Sequence, residues 1–146
     1  MADVIFKGIV ETKDGLTMSC NAREFNITMD EPQDLGGNNL GMNPIEALLN
    51  ALGACKAIVA RSFSPVKGVK FDNLTIELEG TLDPAGFTGQ DPNAKIGLSK
   101  IHTRYIFDSD EPEEKLRDFV NFMETTCPVM DTIVNNPEFT DEIITK

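Results

Sequence analysis

Hydrophobic positions alternate with polar ones through the first third of the chain and then switch to helical spacing. From Val4 to Val10 apolar side chains fall on both parities, and Asp14-Gly15 supplies a two-residue hairpin signal ahead of the alternating Leu16, Met18 and Cys20. A second turn over Asn21 to Arg23 leads to Phe25, Ile27 and Met29, with Asn26, Thr28 and Asp30 on the opposite parity. The expected N-terminal third is a three-stranded meander. Residues 31–43, with Pro32, Gly36, Gly37, Gly41, Asn38, Asn39 and Asn43, read as a loop long enough for a functional or interface role.

Asn43-Pro44-Ile45-Glu46 marks a helix start on three physical grounds: an N-cap side chain, a proline at the first helical position and a glutamate at the third. The spacing predicts a helix over 44–63. Leu48, Leu52, Cys55 and Val59 form its stripe, and Leu49, Ala51, Ala54, Ala57 and Ile58 carry the apolar surface most of the way round, so this helix should be buried centrally. Period two returns from Val69 to Leu82 through Leu74, Ile76 and Leu78. A Gly/Pro-rich loop over 83–94 separates that strand from one at about 96–108, where Ile101, Thr103, Tyr105 and Phe107 share a face, and the two should pair antiparallel. Leu116, Phe119, Val120 and Met123 predict a helix over about 111–124. Val129 to Asn135 reads as a short helix with Cys127 at or near its N-cap, and a final short strand is expected around 138–144.

The order β-β-β-α-β-β-α-α-β implies an α+β fold with two antiparallel β-sheets and a buried central helix. A chain of 146 residues fits one domain, 1–146. A central helix between two sheets needs more cover than one small chain provides, so a dimer is expected. The net charge of −11 leaves no basic stripe for a phosphate backbone, which sets nucleic acid aside as a partner. No apolar run approaches the ~20 residues of a membrane span. Asp3, Lys7, Glu11 and Lys13 interrupt the first segment, so no leader-like apolar core is read there and a cytoplasmic location is expected.

Thiols carry the candidate chemistry. Cys20, Cys55 and Cys127 are odd in number and widely spaced, which is no disulfide framework, and they contain no C-x-x-C pair. With the single His102, they predict neither a metal site nor a cofactor, and no nucleotide-binding glycine motif occurs. Cys127 at a helix N-terminus would ionise readily; its alternative is simple packing at the end of the Leu116–Met123 stripe. Cys55 lies on the apolar stripe, where burial raises a thiol's pKa, so a reactive Cys55 needs a cation or donor brought by another segment. Lys56 points about 100° away around the helix and is a poor source of direct help. Cys20 reads as a core residue, and His102, alternating with Arg104, as exposed or paired.

Asp30-Glu31-Pro32, Leu35-Gly36-Gly37, Gly41-Met42-Asn43-Pro44-Ile45-Glu46-Ala47-Leu48-Leu49, Ala54-Cys55 and the distant Cys127-Pro128-Val129 together resemble the OsmC/Ohr family, over nearly the whole chain. The resemblance implies an intertwined homodimer with a cofactor-free, metal-free peroxidase site built on two cysteines. Carried onto this chain, it makes Cys55 the thiolate that attacks a hydroperoxide and Cys127 the thiol that resolves the sulfenic acid to a disulfide, reopened by a dithiol reductant. The residues themselves do not choose the attacker. Two other readings stay open: a non-catalytic dimer binding a small apolar ligand or a protein partner, and a redox sensor without turnover. The chain departs from the organic-hydroperoxide reductase branch at Ile45, where that branch has a glutamate, and at Lys13-Asp14-Gly15, where it has an arginine. Glu46 projects roughly 180° away from Cys55 and about 13 Å along the axis, and is explained as a capping-box glutamate. Arg23 is the one arginine before the helix.

Overall fold

The computed structural model describes residues 1–146, which divide into two compact units, 1–48 and 49–146. The first unit holds the meander: β1 (Ile9–Thr12), β2 (Met18–Ala22) and β3 (Phe25–Met29), antiparallel in the order β1-β2-β3. Strand β1 begins at Ile9 rather than Val4, and residues 1–8 carry no regular structure and are exposed, with Val4, Ile5 and Phe6 uncovered. The first connection is longer than Asp14-Gly15 alone. Lys13 N–H donates to the Thr17 carbonyl (2.8 Å) and Thr17 N–H to that of Asp14 (3.1 Å), so Leu16 sits in the turn and not on the strand. Glycine at 15 meets the turn's positive φ of 58°. Cys20 pairs opposite Val10 and Ile27 and is half-buried, not the core residue expected from its alternation.

The loop after β3 is organised by one carboxylate. Asp30, 1% exposed, accepts hydrogen bonds from Thr17 Oγ1 (2.8 Å) and from the backbone N–H groups of Glu31 (2.8 Å), Asn38 (3.3 Å) and Leu40 (3.4 Å). Gly37 is required there, because a Cβ would strike the Glu31 carbonyl and the Asp30 carboxylate. Burial pushes the Asp30 carboxyl up, but the four donors outweigh it and hold the group below 3.8. Asn43 and Glu46 close a reciprocal capping box: Asn43 N–H donates to Glu46 Oε2 (2.8 Å) and Glu46 N–H to Asn43 Oδ1 (2.9 Å). This is the role the sequence assigned to Glu46. Arg23, at positive φ in the second turn, lies 4.8 Å over the Phe25 ring.

Helix α1 (Pro44–Lys67) is one turn longer than its apolar periodicity suggested, because Pro65 falls in the last turn and not at the end. Proline cannot donate to the carbonyl of Arg61, and the Ser64 hydroxyl reaches that oxygen instead (3.4 Å). Gly68, at φ +65°, then ends the helix. The second unit pairs β4 (Asn73–Thr81) with β5 (Lys100–Asp108) in the antiparallel register Leu74–Phe107, Ile76–Tyr105 and Leu78–Thr103. The loop between them contains a short helix absent from the sequence reading, α2 (Pro84–Phe87), capped by Asp83. Helices α3 (Glu113–Thr126) and α4 (Pro128–Val134) follow. The expected strand at 138–144 does not form: residues 136–146 carry no regular structure, and Phe139, Ile143 and Ile144 are exposed. No strand of this chain pairs with them.

The core joins Val59 and Ala60 of α1, Val69, and Phe119, Val120 and Met123 of α3 under the inner face of β4–β5. Phe71 meets Phe107 edge-on at 5.6 Å and Phe119 at 6.5 Å. Helix α1 buries one face (Leu52, Gly53, Lys56, Val59 and Ala60), while Ile58 and Val66 remain exposed. Gly53 lets α1 settle against β4, since a Cβ there would press on the Leu78 side chain. No helix is long and apolar enough to cross a membrane.

Truncating Phe119 to alanine empties the centre of the core and should cost about 3–5 kcal/mol in urea denaturation. The Asp30 carboxylate titrates lower folded than its unfolded value of 3.8, so its stabilisation is full above that pH and disappears as pH falls through the folded value. The gap in urea midpoint between the wild type and Asp30→Asn should therefore be open at neutral pH and close on acidification. A gap that stays constant to low pH would contradict this account.

Candidate active site

Cys55 and Cys127 arrive from different elements of the second unit. Cys55 sits mid-way along α1, half-buried. Cys127 is both the C-cap of α3, where its N–H donates to the Met123 carbonyl (3.1 Å), and the N-cap of α4, where Sγ accepts from Met130 N–H (3.3 Å). Pro128 forces this junction: it has no N–H to extend α3, yet its fixed φ suits the first position of α4. Cys127 is 1% exposed, and the Cys55 thiol lies close enough to perturb its ionisation. Both thiols are free.

The electrostatics reverse one expectation. Burial pushes the Cys127 thiol up, and the neighbouring Cys55 thiol, together with the charge of a Cys55 thiolate, pushes the same way. The N–H groups of Met130 and Val129 pull it down without offsetting this. A helix N-terminus therefore does not ionise Cys127: α4 is only seven residues long, and the sulfur has almost no contact with water. A cavity of about 550 Å³ opens beside Cys55, walled by Ala51, Ala54, Ile58, Phe63, Thr126 and Pro128. Cys127 does not line it.

Lys56, discounted as direct help to Cys55, has a partner of its own in Glu124. Its side chain is 2% exposed, and Nζ lies 2.9 Å from Glu124 Oε1, 3.5 Å from Thr103 Oγ1 and 5.6 Å from the centroid of the Tyr105 ring. The Tyr105 hydroxyl donates to the same Glu124 oxygen. Burial, the Glu124 carboxylate and a charge on Cys127 all keep the Tyr105 phenol protonated. These side chains also wall a second cavity of about 910 Å³. The warning was present in the residues: a lysine four positions after Leu52 and four before Ala60 interrupts an apolar face, and a charge there requires an acidic partner from elsewhere. His102 is exposed on the outer face of β5, opposite Glu79. No group of three or more His, Cys, Asp and Glu side chains is placed to hold a metal ion.

The chain belongs to the OsmC-like protein family, whose profile matches residues 36–142. It is 25% identical over 118 residues to the hydroperoxide reductase of Mycoplasma pneumoniae, covering 80% of this chain and 78% of that protein. It is 23% identical over 129 residues to the hydroperoxide reductase of Mycoplasma genitalium, covering 86% and 84%. The crystal structure of the OsmC-like protein from Mycoplasma pneumoniae has the same fold, with a TM-score of 0.79 at 23% identity over 92% of this chain and 91% of that one.

Access and protonation together make a direct prediction about the reduced protein. Iodoacetamide at pH 7.5 should alkylate Cys55 at least about tenfold faster than Cys127, because alkylation needs an accessible thiolate. Peptide mapping of a time course reads both sites, and equal rates would contradict the buried, protonated assignment of Cys127.

Proposed function

We propose that this protein is a cysteine-based peroxidase that reduces hydroperoxides with Cys55 as attacking thiolate and Cys127 as resolving thiol. The observation that carries the reading is that the Cys127 thiol lies close enough to the Cys55 thiol to be perturbed by it, while Cys55 lines a cavity that Cys127 does not. The relatives named hydroperoxide reductase point to the same chemistry. In the first step the Cys55 sulfur attacks the distal peroxide oxygen, the O–O bond breaks, and the departing alkoxide takes a proton to leave as an alcohol. Cys55 is now a sulfenic acid. In the second step the Cys127 sulfur attacks the Cys55 sulfur, hydroxide leaves, and it takes up the Cys127 proton to become water. A dithiol reductant then restores both thiols. The apolar walls around Cys55 suit the carbon skeleton of an organic hydroperoxide, and the chemistry needs neither metal nor cofactor.

The working form is a homodimer of one domain per chain, 1–146, acting in the cytoplasm, where three unpaired thiols stay reduced. The uncovered apolar residues at both ends of the chain and on the outer side of α1 support a second copy as their cover. Nucleic acid and membrane have no part in the reading. One equivalent of cumene hydroperoxide should yield a Cys55–Cys127 disulfide in the wild type, a trappable sulfenic acid in Cys127→Ser, and no peroxide loss in Cys55→Ser. Two free thiols and unconsumed peroxide in the wild type would overturn the proposal.

A further inference from the structure

We propose that Lys56 and Glu124 are positioning residues for the thiol pair, holding the Cys55 and Cys127 sulfurs within reach for disulfide closure, with Tyr105 fixing the carboxylate. The inference rests on the thiol-pair reading of the same site. Cys55 and Lys56 are adjacent on α1, and Glu124 and Cys127 are three residues apart where α3 ends, about 4.5 Å of helical rise. Two pairings therefore join the same two segments: the neighbouring thiols of Cys55 and Cys127, and ammonium to carboxylate at 2.9 Å. Glu124 Oε1 takes a second donor, the Tyr105 hydroxyl, which ties the last turn of α3 to β5 as well.

Stability alone does not account for this arrangement. An ion pair whose ammonium is buried, with Lys56 2% and Glu124 29% exposed, recovers little more than the desolvation it incurs, and an apolar pair of similar volume often serves a core as well or better. Fixing register is the use of buried charge that apolar packing imitates least, since Nζ and Oε1 have one favourable separation while hydrocarbon slides. Register is what the closing step needs. When the Cys127 sulfur displaces water from the Cys55 sulfenic acid, the two sulfurs must come to about 2.05 Å with their β-carbons about 3.8 Å apart. A shift of α1 along α3 by a fraction of a turn forbids that geometry while leaving Cys55 on the open side of α1.

The test compares Lys56→Met, Glu124→Gln, Lys56→Arg and Tyr105→Phe with the wild type in the full-length protein, each checked for cooperative melting. Lys56→Met and Glu124→Gln should form the Cys55 sulfenic acid within about twofold of the wild-type rate. They should close the disulfide about tenfold more slowly, so that dimedone captures the sulfenic acid. Against a glutathione redox buffer, with no peroxide present, their Cys55–Cys127 disulfide should be about tenfold less favoured, about 30 mV for this two-electron couple. Lys56→Arg, which keeps the charge, should recover most of the loss, and Tyr105→Phe should show a smaller loss of about threefold. A folded Lys56→Met with wild-type closure and wild-type equilibrium overturns the proposal. If Lys56→Met does not fold, Tyr105→Phe decides, and an unchanged glutathione equilibrium there also overturns it. A wild type that ignores peroxide, yet loses disulfide stability on Lys56→Met in the glutathione assay, removes the peroxidase reading and leaves the positioning role standing.

Discussion

The thiol pair depends on a single junction, the point where α3 stops and α4 starts. Pro128 cannot continue the hydrogen-bond ladder of α3, so the chain turns at Cys127, which caps both helices and is itself buried. With Met123, Val120 and Phe119 anchoring α3 in the core, Cys127 has no route back to solvent. Helix α1 answers from the other side. It presents Leu52, Lys56, Val59 and Ala60 as its buried face and leaves Cys55 at the border between that face and the cavity. One cysteine is therefore sealed and the other is not, as a result of packing and not of any feature of the thiols themselves.

The local electrostatics follow from that packing. The partial charge at a helix N-terminus is a surface-scale effect, worth at most a kcal/mol or two, whereas withdrawing a sulfur from water opposes ionisation more strongly. Burial accordingly dominates at Cys127, and the neighbouring Cys55 thiol pushes its titration the same way. At Asp30 the balance falls the other way, since four donors converge on one carboxylate and overcome its burial. Burial alone does not set the direction in which a group titrates; the number of donors aimed at the charged form does.

The elements with strong periodicity were legible in the residues. The period-two faces of β4 and β5, the Asn43–Glu46 capping box and the stripe of α3 emerge where the spacing puts them. Segments that lack a neighbour were not. Residues 4–8 and 138–144 look like strands in composition, but a strand exists only when another backbone takes up its N–H and C=O groups, and within this chain none does. The candidate site was half legible. The two cysteines could be named from their flanking motifs, whereas Glu124 and Tyr105 could not, because an acid on an amphipathic helix and a tyrosine on a strand have ordinary surface and core explanations. Only the misplaced charge of Lys56, surrounded by Leu52, Val59 and Ala60, hinted that an acid had to be waiting for it.

The unequal access of the two sulfurs also governs how the protein ages. Successive oxidation of a thiol to sulfinic and sulfonic acids requires repeated encounters with oxidant, and of this pair only the sulfur beside the cavity is open to them. Irreversible damage to the pair would therefore accumulate at one residue, while the enclosed sulfur next to it keeps its original chemistry for as long as the fold survives.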